Sequence, residues 1–220
     1  MEIEDVWPLF ALRLETPRLM LRPIRDEDLP GLAAAALRGV HAPERMPFGV
    51  PWTDWEPERL TRSMAQFHWS LRANATTENW GVSFTVVHDG IPVGIQEMHA
   101  RNFAGRRTID TASWLTSERQ GLGLGKEMRA ALLLFGFDHL GALWAESSAA
   151  SWNEASLGVS QSLGYERNGL TRSEPRPGEP VDEIRVRVSA EQFRRPEWAL
   201  AVTGAERACE QLLGPRPSAE

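Results

Sequence analysis

The chain has 220 residues, 42% of them hydrophobic and 25% charged, which is ample for one sizeable α/β core. Its 24 basic and 30 acidic residues leave a net charge of −6, so neither nucleic acid nor an anionic membrane is an expected partner. The only cysteine, Cys209, excludes an intramolecular disulfide, the acidic start Met-Glu-Ile-Glu-Asp is no signal peptide, and the most apolar run, 130–137, is too short for a bilayer; a soluble cytoplasmic protein is expected.

Residues 18–25 alternate as a strand with one buried face does. Asp26 reads as the N-cap of a helix through 33–37, with Glu27 and Asp28 favourable in its first turn. Residues 39–56, rich in Pro, Gly and Trp, read as an ordered loop, and Pro57 opens a second helix towards Arg72. The segments 80–87 and 91–100 flank His88-Asp89-Gly90, where Asp-Gly signals a hairpin. Next come a strand over 108–115, a glycine-rich loop, and a helix over 125–139 with Met128, Ala131, Leu132 and Phe135 on one face. A short strand over 143–146 precedes a helix over 151–163, capped by Ser151 or Asn153 and ended by Gly164. A last strand pair, 165–170 and 184–188, is separated by a polar loop over 171–180.

Beyond that pair, 198–202 reads as strand or helix, 205–213 as helix, and 214–220 as a disordered tail. Antiparallel strands followed by β-loop-α-β-α-β give an α/β (α+β) fold with a mixed central sheet flanked by helices. The expected organisation is one domain over 1–190, an extension over 191–213 packed on it or at a homo-oligomer interface, and the tail.

Gln120-Gly-Leu-Gly-Leu-Gly125 lies between a strand and a helix, where free backbone N–H groups and the helix dipole favour a phosphate. A P-loop would need Gly at 120 and Ser or Thr at 127, where Gln120 and Glu127 stand. A dinucleotide fingerprint would need Gly at 126, which is Lys126; Glu146, near the distance of a ribose-binding acid, keeps a nucleotide-dependent oxidoreductase as an alternative.

The spacing Gln-x-x-Gly-x-Gly matches the acyl-CoA loop of GNAT N-acyltransferases. Leu14-Glu-Thr-Pro-Arg-Leu-Met-Leu-Arg-Pro23 with Asp26-Glu-Asp28 resembles the opening strand and helix of the ribosomal-protein N-acetyltransferase branch. Trp114-Leu-Thr, Lys126-Glu-Met, Asn153-Glu-Ala-Ser156 and Leu163-Gly-Tyr165 follow in the family's order, so the resemblance spans about residues 13–190. Residues 39–52 resemble an actinobacterial subgroup with a succinyl-CoA-using member. The resemblance implies the GNAT fold, with a V-shaped splay between two central parallel strands at 108–115 and 142–147. It also implies acetyl-CoA or succinyl-CoA as co-substrate, no metal, and a small-molecule or peptide primary amine as acceptor.

Acyl transfer to an amine requires deprotonation of the amine, donors for the oxyanion, and stabilisation of the leaving thiolate. The resemblance places a main-chain N–H at Trp114–Leu115 on the thioester carbonyl. It places Gln120, Gly121, Leu122, Gly123, Leu124 and Gly125 around the CoA phosphates; Lys126 and Arg119 read as cations for those phosphates or as exposed basic residues near a helix start. It sets Asn153 on pantetheine and Ser156 near the sulfur; locally, Asn153 also reads as a helix cap and Ser156 as a solvated residue. The tyrosine acid of many relatives falls on Ser160, which puts a strong general acid in doubt. Candidate bases are Glu97 and His99, on one strand face, and Asp110.

His41 and Trp52, with Trp55, are candidates for the acceptor pocket, and arginines in 43–46 and 101–107 for a succinyl carboxylate. His68, His88 and His139 lack metal-ligand spacing, and no nucleophile elbow is present, so direct attack in a ternary complex is expected. A CoA-binding sensor without strong catalysis is the alternative on the same fold.

Overall fold

The computed structural model describes residues 1–215, so the expected tail lies, from 216 on, outside the described residues. Its elements are α1 (Ile3–Val6), β1 (Arg13–Glu15), β2 (Leu19–Pro23), α2 (Leu29–Leu37), α3 (Pro57–Ala73), β3 (Asn79–His88), β4 (Ile91–Arg101), α4 (Phe103–Arg106) and β5 (Thr108–Leu115). After these come α5 (Leu124–Asp138), β6 (Trp144–Ala150), α6 (Glu154–Ser162), β7 (Glu166–Arg176), β8 (Glu179–Ser189), β9 (Ala201–Thr203) and α7 (Ala205–Leu213). The strands form one mixed sheet in the order β7-β8-β6-β5-β4-β3-β2-β1-β9. Only β5 and β6 pair in parallel. No helix among the described residues is long and apolar enough to cross a membrane.

The β3–β4 hairpin turns at Asp89 and Gly90, whose φ values of 52° and 76° are the left-handed pair that the tight primed turn demands. Along β4, side chains alternate between the two sheet faces. Met98 meets α5 with Ile109 of β5, while Ile95 packs with Leu32, Ala36, Leu60 and Met64 of α2 and α3. The sheet is therefore covered on both faces.

Helix α5 is buried round its circumference from Glu127 to Phe137, not along one face as the sequence pattern suggested. The sheet covers one side and the chain after 190 the other. Phe193 packs against Phe137 with the rings tilted and their centroids 5.6 Å apart, Arg195 clasps Asp138 at 2.7 and 2.9 Å, and Cys209 Sγ lies 3.7 Å from the His139 carbonyl oxygen.

Asp26 does not cap the helix after β2. Trp69 Nε1 donates to its carboxylate at 3.0 Å, and Arg72 joins it. Asp28 occupies the N-cap position, yet its carboxylate makes no cap bond to α2: it turns back to accept the Arg25 N–H at 2.9 Å, and Arg22 holds it with two bonds of 2.6 Å. The strand expected at 143–146 runs on to Ala150 because it pairs with β8 along its full length. The polar loop expected over 171–180 is strand: β7 and β8 continue to a turn at 177–178. Much of this hairpin is exposed on both faces, so hydrophobic alternation could not reveal it.

Candidate active site

The parallel ladder between β5 and β6 is short, pairing 108–110 with 144–146. Side chains then take over: the Thr111 hydroxyl donates to the Glu146 carbonyl at 3.3 Å, and the Ser147 hydroxyl to that of Thr111 at 2.9 Å. Beyond this apex the strands part around a cleft of about 560 Å³, walled by 112–115 and 147–150 and roofed by residues of the 40–49 segment.

The main chain of β5 is committed alternately to β4 and to this opening. The Thr116 N–H bonds Val93, the Trp114 carbonyl abuts Gly94, and the Ala112 carbonyl accepts from Gln96 Nε2 at 2.9 Å. By alternation, the amides of Ser113 and Leu115 face the cleft and that of Trp114 faces β4. The sequence expectation of a donor at Trp114–Leu115 therefore narrows to Leu115, with Ser113 added.

At the mouth of the V, Gly121 and Gly123 take φ of 74° and 80°, and Gly123 is the N-cap of α5. First-turn N–H groups of a helix have no intrahelical partner, and the positive φ values require glycine. This geometry fits a pyrophosphate held by main chain. The neighbouring side chains have other tasks: Leu124 is buried in the core, while Gln120 Nε2 donates to the carbonyls of Leu115 at 2.9 Å and Val40 at 2.6 Å. Leu122 and Lys126 are exposed.

On the opposite wall, Asn153 Oδ1 caps α6 by accepting the Ser156 N–H at 3.1 Å, and both residues line the cleft. Ser160 does not. It is 2% exposed, accepts from Arg129 Nη1 at 2.8 Å and donates to the Ser156 carbonyl at 3.0 Å. Arg129 itself lines the cleft floor at 4% exposure, without a carboxylate partner and with Nε unpaired among the described residues. Burial lowers its pKa, yet a guanidinium keeps its proton at neutral pH.

Across β5 lies a second cavity of about 330 Å³, sharing residues 112–114 and Phe48 with the first. Trp52 and Trp114 pair at 5.7 Å and Phe48 with Trp52 at 5.2 Å; Glu97 stands at its base, directly opposite Ala112 in the sheet register. Burial pushes Glu97 up, but the hydrogen bond and charge of His99 at 3.2 Å, with His68 and the Ser83 hydroxyl at 3.1 Å, more than offset it and hold the carboxyl below the ordinary value. His99 and Asp110 line a separate open depression, so the three candidate bases divide, and Glu97 alone reaches the cavity.

A family profile described as acetyltransferase (GNAT) domain matches residues 18–166. The chain belongs to the GNAT acetyltransferase family. Solved structures of similar fold include Mycobacterium smegmatis RimJ in complex with CoA-disulfide, 21% identical with a TM-score of 0.67, over 91% of this chain and 93% of that one. A putative ribosomal-protein-serine acetyltransferase from Vibrio cholerae is 22% identical, with a TM-score of 0.61 over 80% of this chain and 97% of that one. RimL, a ribosomal L7/L12 alpha-N-protein acetyltransferase in complex with coenzyme A, is 15% identical, with a TM-score of 0.65 over 79% and 95%. At these identities the likeness bears on fold.

Several residues of this GNAT site carry no sequence signal. Glu127, 7% exposed, ties the glycine loop to the β1–β2 turn, accepting from Thr16 Oγ1 at 2.6 Å, from the Arg18 N–H at 3.0 Å and from Arg18 Nε at 2.7 Å. Arg18 also donates to the Leu122 carbonyl at 2.9 Å, which places a cation beside the loop. Arg176, at the tip of the long hairpin, grips Asp54 with bonds of 2.7 and 2.8 Å and reaches the Pro43 carbonyl at 2.9 Å, clamping the 39–56 segment. His41 braces the same segment, with Nδ1 at 2.8 Å from the Ala42 carbonyl and Nε2 at 2.7 Å from the Thr53 hydroxyl. With both nitrogens engaged, it lines the larger cleft and not the apolar cavity.

Of the arginines expected to meet a succinyl carboxylate, Arg45 lines the cleft, stacked 5.4 Å over Trp152. Arg107 is spent on the Gly141 carbonyl, and Arg101 and Arg106 border the outer depression. Glu146, the residue that sustained a nucleotide reading, is paired with Arg185 at 3.6 Å in mid-strand near the apex, not at the phosphate loop.

Proposed function

We propose that this GNAT protein is an N-acyltransferase that moves an acetyl or succinyl group from acyl-CoA to a primary amine by direct attack in a ternary complex. The observation that carries the reading is the meeting of two cavities across residues 112–114 of β5, one ending in the glycine loop and the other holding Glu97. With pyrophosphate on that loop, the Leu115 amide is the nearer donor, for pantetheine. The Ser113 amide, the next facing the cleft, suits the thioester oxygen. The amine enters from the other side and pairs with Glu97.

So acidic a carboxylate orients the ammonium but does not keep its proton. His99, bonded behind it and open to solvent, offers the proton an exit through water. The Ser156 hydroxyl is the cleft-lining donor for the departing sulfur, and Arg129 and Arg45 are the cations available to a succinyl carboxylate. The test is amine-dependent thiol release from acetyl-CoA and succinyl-CoA beside calorimetric CoA affinity. CoA binding without amine-dependent release would reduce the protein to a CoA-binding sensor, and no CoA binding would reject both readings.

A further inference from the structure

We infer that the acceptor selected by this site is a small, singly charged primary amine carried on an apolar, aromatic-sized body; this rests on the acyltransferase reading above. The second cavity, about 330 Å³, lies at the lower end of the ~300–1,000 Å³ range of small-molecule sites. Phe48, Trp52, Trp55, Met64, Phe67 and Trp114 make most of its wall, and Glu97 is its only carboxylate among the described residues. Its other titratable side chain is His68, which burial keeps uncharged at neutral pH, and the remaining polar ones are the neutral hydroxyls of Ser63 and Ser113.

An ammonium therefore finds one anionic partner, directly across from Ala112, where the acyl group arrives. The rest of the ligand has to be buried against rings and thioether. A second cation would be desolvated there without a counter-charge, which is costly. One face of Trp55 already carries Arg59 at 4.3 Å, so a cation stacked beside it would also meet like charge. The 39–56 segment that supplies Phe48, Trp52 and Trp55 is tied down through Val40 by Gln120, and through Pro43 and Asp54 by Arg176. A segment restrained at these points favours a compact ligand over a polypeptide. The side chains of Val50 and Phe67, 55% and 44% exposed, give the cavity an apolar mouth.

The experiment compares 2-phenylethylamine, spermidine and a short serine-started peptide as acceptors with saturating acetyl-CoA. The expected result is a kcat/KM for 2-phenylethylamine at least about tenfold above the others, the scale on which an apolar pocket discriminates. Phe67→Lys, placing a cation at the mouth, should lower that value by about tenfold or more and leave CoA affinity by calorimetry unchanged. Preference for spermidine or the peptide overturns the inference, as does a Phe67→Lys enzyme with undiminished 2-phenylethylamine turnover. If no amine releases thiol, binding is read from quenching of tryptophan fluorescence by 2-phenylethylamine in the presence of CoA. Saturable quenching that disappears in Glu97→Gln supports the pocket while the transferase reading fails alone; no saturable quenching overturns the pocket too.

Discussion

His68 should make the protein lose stability between pH 7 and 5. It sits on α3 at 4% exposure, and its Nδ1 has no hydrogen-bond partner among the described residues. Burial pulls its pKa from 6.5 down to about 4; the charge of Glu97 works against that pull, and that of Arg72 adds to it. In the unfolded chain the imidazole titrates near 6.5, so between about 4 and 6.5 the unfolded state binds more protons. Stability therefore rises with pH through that window and falls on acidification. The gap between the two pKa values corresponds to about 3 kcal/mol when fully expressed, of which about 2 kcal/mol is lost between pH 7 and 5.

The depressed carboxyls, Glu97, Asp26, Asp54 and Asp138, have the opposite origin and a lower window. Their stabilisation is present above their unfolded values of 4.5 and 3.8 and is lost as pH falls through the folded ones. Urea unfolding at pH 7, 6 and 5 of the natural protein and His68→Leu isolates the imidazole, since the depressed carboxyls, Glu97 beside it included, lose their contribution only below this range. The natural protein should lose about 2 kcal/mol more than the variant. Parallel curves would show that His68 is not buried uncharged, and the argument would fail.

Gly123→Asp puts a negative charge and a side chain at a φ of 80°, with Cβ 3.4 Å from Arg18 Nη2; CoA binding by calorimetry should vanish while circular dichroism is unchanged, and unaltered affinity would reject the loop assignment. Ser156→Ala should lower turnover by on the order of a hundredfold with CoA affinity kept, and turnover within about twofold would reject the thiolate role. Ser160→Ala should instead cost stability, about 1–3 kcal/mol by urea unfolding, because it strips Arg129 of its buried acceptor; a turnover loss larger than that of Ser156→Ala would move the donor to position 160. Arg129→Met removes a buried unpaired cation and should leave the melting temperature equal or higher. It should cut kcat/KM for succinyl-CoA by roughly tenfold to a hundredfold relative to acetyl-CoA, and equal losses would refute a carboxylate contact.

What was legible in the sequence had a local cause. The β5 strand and the last helix, α7, fall on the expected 108–115 and 205–213, because strand alternation and helical spacing are read within one element. Asp89-Gly90 announced its hairpin through the backbone angles that turn requires. The strand pair of β7 and β8 was legible at 165–170 and 184–188, but its outer part stayed hidden because its polar residues face solvent on both sides; Asp26 misled because tertiary partners, Trp69 and Arg72, take its carboxylate away from the cap. Glu127 figured in the sequence only as the residue that breaks the P-loop pattern. Its real partners, Thr16 and Arg18, are more than a hundred residues away, and no spacing rule reaches that far.

The two halves of the site differ in how they can be read. In the proposed function, the donor half is built from main chain: the amides of the glycine loop and the cleft-facing amides of β5. Main chain offers the same groups whatever the side chains, so a turn that only glycine can make becomes its signature, and the family profile over 18–166 spans it. The proposed acceptor half is made of side chains drawn from the 39–56 segment, α3, β4 and β5, with one restraint, Arg176, supplied from the far end of the sheet. These residues meet only after the sheet has formed, and those that line this cavity alone, such as Trp55, Met64 and Phe67, are absent from the wall of the cleft beside it. Membership of the GNAT family therefore speaks for the acyl donor, whereas the acceptor has to be argued from this chain's own cavity.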